Sequence, residues 1–400
     1  MTTLTATEQL RATMNTEDFL NKPPYVLNYD TRVNVINFQS TEYYVGEARD
    51  VSFDSRVEDS FSVFDLKVET LTLKHGSNNM TVGVLGDLEE FSTRGSHNVT
   101  LLAAGDIESL RSEMTSFNQI IVDGAVDKVI SRSDYALNQQ FTEVHGLHLE
   151  SQTYSTTEVD DLHYAIASSG YSNFLRIGDL EGFAAMYGET NSTLIIDEGA
   201  DAVVDVIDGS GNTIIAHADN LVAYLSRTGN IEFINTGDGV NVRASNVEGE
   251  LINFGEDGSF DLDNFSGFIQ TGDQADVEVR NSEGVFSLGE NAEVDFIDTD
   301  AVVQAGPRSE LSFDGGNYWV DVANGGSDTI AFREADGHVK GDANDRLEVA
   351  GVELPFWMLE MAQDRLGIES WSSDDGHITT VEVVGVDYPQ IDDGFVSGKG

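Results

Sequence analysis

Gly237, Gly255, Gly272, Gly289 and Gly306 stand 17 or 18 residues apart, and each sits in the same surroundings. A short apolar run precedes each glycine and a polar corner follows. Apolar and polar residues then alternate: Val240 and Val242, Phe260 and Leu262, Val277 and Val279, Val294 and Phe296, Leu311 and Phe313. Alternation is the period of a strand with one buried face, and its return at a fixed short length marks stacked repeats. A unit this small cannot bury its apolar face alone and must do so against the next copy. The stretch 231–313 therefore predicts an all-β chain, a parallel β-solenoid of the β-helix or β-roll kind, with one repeat to each turn.

The pattern reaches beyond that stretch. Gly76-Ser77-Asn78-Asn79-Met80-Thr81, followed by Gly86-Asp87-Leu88-Glu89, recurs 19 residues later as Gly95-Ser96-His97-Asn98-Val99-Thr100 and Gly105-Asp106-Ile107-Glu108. Turns of 17–20 residues follow, with Asn79 and Asn98 at one phase, where their amides can bond from turn to turn. Residues 1–32 are expected to form a helical cap over the first open edge: Thr5 and Glu8 make a capping box, Leu10 and Met14 share a side, and Pro23-Pro24 stops the pattern. A first solenoid block is expected over 33–131 and a second over 190–324. Between them the repeat fades. Val159, Leu162 and Ile166 read as one side of a helix ending at Gly170, and Leu180–Met186 as a second, so 132–189 is expected to be an irregular insertion carrying specificity.

Charge narrows the partners. Acidic residues number 71 against 21 basic ones, a formal net charge of −50. Such a chain repels nucleic acid and anionic lipid. There is no cysteine, which excludes disulfides and thiolate chemistry. The first residues lack a basic and then apolar leader, and no apolar run is long enough to span a bilayer, so neither a cleaved signal nor membrane insertion is expected.

Stacking turns the acids into a specific expectation. Asp261, Glu278 and Asp295 follow one another at 17 residues, which puts them in one outward column about 5 Å apart. At that distance two carboxylates repel by roughly 1 kcal/mol in water. Calcium takes several oxygen ligands, so Ca2+ is expected along this column or at the acidic corners, Asp238, Asp257 and Asp273 among them; the alternative is a solvated face screened by salt. His145, His148 and His163 could supply a zinc site, although nothing resembles an HExxH helix. No P-loop and no nucleophile elbow occurs, and no catalytic residue is assigned. Acidic polysaccharide is an unsuitable substrate for so acidic a surface.

The end of the chain carries a resemblance. Gly325-Gly326-Ser327-Asp328-Thr329-Ile330 looks like a shortened form of the calcium-binding nonapeptide of RTX proteins. Gly341-Asp342-Ala343-Asn344-Asp345, a helix-like segment over 355–366, strands around His377–Val384 and Asp392-Asp393-Gly394-Phe395-Val396 follow in order. Residues 325–400 are similar to the C-terminal region of bacterial type I secreted proteins of the RTX and haemolysin class. The resemblance implies Asp328 as a calcium ligand, an uncleaved C-terminal export signal, the type I export machinery as a partner, and a secreted or cell-surface location. The function expected is that of a structural surface-layer, matrix or adhesive component, self-assembling into a homo-oligomer or polymer through cation-bridged acidic faces. The alternatives are a protein that binds or degrades cell-surface polysaccharide, and a viral fibre or spike.

Overall fold

The computed structural model describes residues 4–16, 21–29, 32–37, 41–55, 57, 59–74, 78–199, 201–322, 326–342, 344–349, 352–355, 370–372 and 380–387. The chain divides into two compact units, Met1–Val222 and Ala223–Gly400. Each is a parallel β-solenoid.

In the second unit the repeat is one turn of coil. Val242 lies beside Phe260, Phe260 beside Val277, Val277 beside Val294 and Val294 beside Leu311, so successive turns take 18, 17, 17 and 17 residues. Every residue of the alternating pairs from Val240 to Phe313 is 2 % exposed or less. Their rings stack along the core: Phe296 on Phe313 at 5.1 Å between centroids and Phe313 on Phe332 at 4.8 Å. The marker glycines have a steric cause. A Cβ on Gly272 would lie 2.0 Å from the carbonyl oxygen of Gly255, because at this corner backbone rests directly on backbone. The parallel ladder runs on past residue 324, where the C-terminal module was expected to begin. Thr329–Arg333 pairs with Glu310–Asp321, and Arg346–Val349 pairs with Thr329–Arg333. The expected helix over 355–366, His377 and the final aspartates from Asp392 lie outside the described residues or side chains.

The first unit corrects the expected insertion. Residues 132–189 contain no helix among the described residues; they form regular coil. Strands Asn138–Glu150, Thr156–Ser168 and Phe174–Tyr187 pair in parallel, with Phe141 beside Val159 and Val159 beside Ile177. The misleading signal is a bend. Within Thr156–Ser168 the buried residues are Thr157, Val159, Leu162, Ala165 and Ala167, so the inward spacing is two, then three twice, then two. Where a strand turns from one face of the coil to the next, two consecutive residues point outward, and the resulting i, i+3 spacing imitates a helix.

The N-terminal helix exists, but its place differs from the expectation. Helix α1 (Ala6–Met14) has the capping box of Thr5 and Glu8. It lies on the side of the coil rather than over its first edge. The amides of Ala6 and Thr7 donate to Asp123 Oδ1 and Oδ2 at 2.7 and 2.6 Å, so a carboxylate meets the positive end of the helix. Leu10 is fully buried against Leu102 and Ile121, and its Cδ2 occupies the space a Cβ on Gly83 would need. Outward Leu102 and Ile121 require cover, and the apolar side of α1 supplies it.

Between the sheet faces of the first unit runs a corner with a fixed grammar. A bridging position is held in turn by His97, Ser116, Tyr135, Thr153, Tyr171, Thr190 and Ser210. The next residue is left-handed in each of these turns: Asn98, Phe117, Ala136, Tyr154, Ser172, Asn191 and Gly211 have φ between 51° and 68°. The residues flanking these two positions point inward and cap the amides of the adjacent turn. Thr115 N donates to Asp134 Oδ1 at 2.7 Å, Ser155 N to Asn173 Oδ1 at 3.2 Å, and Ser192 N to Asn212 Oδ1 at 3.0 Å. Asn98 Nδ2 also donates to Asn79 Oδ1 at 2.9 Å, the amide contact expected from the repeat, though it lies at the surface.

Asp134 is 1 % exposed, and burial pushes its carboxyl above the ordinary carboxylate range despite the opposing hydrogen bonds from Thr115. A carboxyl with a raised folded-state pKa holds its proton where the unfolded chain has lost it. Stability therefore falls as pH rises from the unfolded value, about 3.9, through the folded value, and the penalty persists above it. Asp134→Asn keeps the Oδ1 acceptor and sets an amide beside Gln152, whose Oε1 has no hydrogen bond among the described residues. The variant is expected to melt above the parent at pH 7, with the gap closing towards pH 4. A variant that melts below the parent at pH 7 refutes this account.

Candidate functional site

The acidic column of the second unit has the expected register. Asp261 lies beside Glu278 and Glu278 beside Asp295, with Arg243 preceding the column and Ser312 following it. What sequence reasoning missed is Arg280. Its guanidinium bridges Glu278 on its own strand and Asp261 on the preceding turn, answering part of the repulsion from within the chain. The available signal was its spacing, two residues from Glu278 and so on the same face. These side chains are 33–47 % exposed, so the bridges contribute little, about 0–1 kcal/mol each.

The corner acids perform a backbone task. Asp238 Oδ1 accepts from the amide of Glu256 and Asp273 Oδ1 from that of Glu290, both at 2.8 Å. Asp87 does the same for Asp106 at 3.0 Å, and Asp106 for Ala125 at 2.9 Å. Each carboxylate meets an amide at the equivalent corner of the next turn. Asp257 is left-handed, with φ of 56°. Asp328 is fully buried; its Oδ1 accepts from Ser309 N at 2.7 Å, and its own amide donates to Asp345 Oδ1 at 3.0 Å. It belongs to a corner ladder of the coil.

The histidines separate. His145 and His163 stack with centroids 4.7 Å apart, flanked by Asp127 at 3.4 Å and Glu181 at 3.1 Å, while His148 packs edge-on against Tyr164. Among the described residues no three histidine, aspartate or glutamate side chains group so as to hold a metal ion.

Two surface features of the first unit stand out. One is an open groove of about 810 Å3 whose lining includes Asp65, Asp87, Glu89, Asp106, Glu108 and Asp127, with no lysine or arginine among the described residues that line it. Four of these acids, Asp87, Glu89, Asp106 and Glu108, come from the repeated Gly-Asp-x-Glu corners, Gly86–Glu89 and Gly105–Glu108. The other is a column of rings at the left-handed corner. His97, Phe117, Tyr135, Tyr154 and Tyr171 follow one another edge to face, with centroids 5.4, 5.5, 5.7 and 5.7 Å apart. The rings alternate between the bridging position and the left-handed one. That stagger turns each ring against its neighbour, an arrangement that aromatic quadrupoles favour over a face-to-face stack. Nothing in the sequence reading marked this column, because the alternating offset breaks the equal spacing that reveals a repeat.

Comparison with known proteins finds no matching family model, no similar curated protein and no similar solved structure.

Proposed function

We propose that this chain is an extracellular structural protein, a component of a surface layer, matrix or adhesive, whose acidic faces associate through divalent cations. The observation that carries the reading is the stacking of like side chains from turn to turn on outward faces. Asp261, Glu278 and Asp295 follow one another in the second unit, and Phe117, Tyr135, Tyr154 and Tyr171 in the first. Catalysis needs unlike groups converging on one reacting atom, whereas a surface with a fixed repeat suits an extended or repeating partner. The acidic groove supports cation bridging as the mode of association. Glu69 in its lining pairs with Arg49 at 3.2 Å, but the groove still gathers more carboxylates than cations; these repel one another, and calcium shared between two copies relieves that repulsion on both. The resemblance of residues 325–400 to type I secreted proteins supports export.

Sedimentation and electron microscopy of the purified protein test the assembly, with calcium or chelator at equal ionic strength. Calcium-dependent oligomers, sheets or filaments are expected. A protein that stays monomeric at high concentration with calcium overturns the assignment.

A further inference from the structure

We infer that the aromatic column at the corner of the first unit is a binding strip for a neutral, linear polysaccharide. The inference is independent of cation-bridged assembly and uses none of the residues that line the acidic groove.

The first argument is exposure without structural need. Phe117, Tyr135, Tyr154 and Tyr171 are 42–54 % exposed, though large rings gain most from burial. Holding the turns together is the work of the residues on either side, such as Thr115, Asp134, Ser155 and Asn173, which face inward and cap the amides. A run of exposed rings on one line is the kind of apolar surface that marks a binding site.

The second argument is backbone cost. Phe117 and Tyr154 occupy the left-handed position, with φ of 55° and 53°. Asn98, Ala136, Ser172, Asn191 and Gly211 hold the same place in other turns, all smaller than an aromatic residue, and asparagine and glycine adopt this conformation at least cost. Aromatic residues are strained there, and strain retained at an exposed position points towards function. These two residues also create the stagger; without them the rings of Tyr135 and Tyr171 would stand two turns apart.

The third argument identifies the occupant. Rings at one-turn intervals suit a ligand that itself repeats. Two copies of a chain with net charge −50 repel each other, as do the chain and any polyanion. Arg111 and Arg132, on the strands entering the corner, are already paired with Glu113 and Glu150, both at 2.7–2.8 Å. A neutral sugar chain meets no such barrier. Its C–H faces lie on the rings while its hydroxyls stay in water or reach the tyrosine hydroxyls, the division of labour for which tyrosine is suited.

Native gel electrophoresis of the full chain tests the proposal, in gels containing hydroxyethylcellulose or glucomannan, with alginate as the anionic comparison. Chelator is present throughout to remove cation-mediated association. The neutral polymers are expected to retard the parent and alginate to leave it unaffected. A double variant, Tyr135→Ala with Tyr154→Ala, is expected to lose at least about tenfold in apparent affinity while its melting temperature holds. Tyr135→Phe with Tyr154→Phe should retain binding, and Phe254→Ala, which removes an exposed ring in the second unit, should bind as the parent does. Four results overturn the inference: no retardation of the parent by either neutral polymer, equal retardation by alginate, unchanged binding by the double alanine variant, or a parent that is dimeric in chelator and made monomeric by that variant.

Discussion

A Gly267→Val variant should lose the ordered ladder around its own turn. Gly249, Gly267 and Gly284 lie beside one another on successive turns, and Gly267 has φ of 150°. A Cβ built on Gly267 would lie 1.9 Å from the carbonyl oxygen of Gly249, closer than any real contact. Backbone cannot yield as a flexible side chain can, so the turns must separate. Strain and overpacking together are expected to cost about 3 kcal/mol or more. In a stacked repeat each turn touches only its neighbours, so the damage is local at first. Hydrogen exchange should show lost protection in Asn241–Asn253, Ser259–Gln270 and Glu283–Leu288, with smaller changes in distant turns. Unchanged protection in these strands would contradict the close backbone stacking described.

The second large effect is expected at Phe313. Its ring is fully buried, lies 4.8 Å from Phe332 and 5.1 Å from Phe296, and meets Tyr318 at 4.4 Å. Phe313→Ala removes the middle ring of a three-ring stack and leaves a cavity that the stiff ladder cannot close. The expected cost is about 3–5 kcal/mol, read from denaturant unfolding or from exchange in Glu310–Asp321 and its neighbours. Phe313→Leu should cost less. A loss below about 1 kcal/mol for the alanine variant would mean that the core relaxes far more than packed interiors do.

The buried pairs from Val240 to Phe313 were legible because inward residues in a strand recur at two and turns recur at 17 or 18. Both periods are linear properties of the chain. The register of Asp261, Glu278 and Asp295 followed from the same arithmetic. The turns around Thr157 were misread for a related reason: bends shift the inward spacing from two to three, and in a sequence a bend and a helix leave the same trace. The position of α1 was illegible because it depends on Asp123 and on Leu102 and Ile121, more than ninety residues away and exposed only by the way the coil folds.

The capacity to stack belonged to the sequence: glycine wherever backbone meets backbone, alternating apolar residues for the core, and acids left outside. It determined the class of fold and the register of one acidic column. Tertiary structure decided what the outward residues do, since that depends on which side chains of neighbouring turns meet. Arg280 spans two acids, corner aspartates become amide acceptors, and five staggered residues become one column of rings. Each is a relation across turns, set by register and backbone handedness.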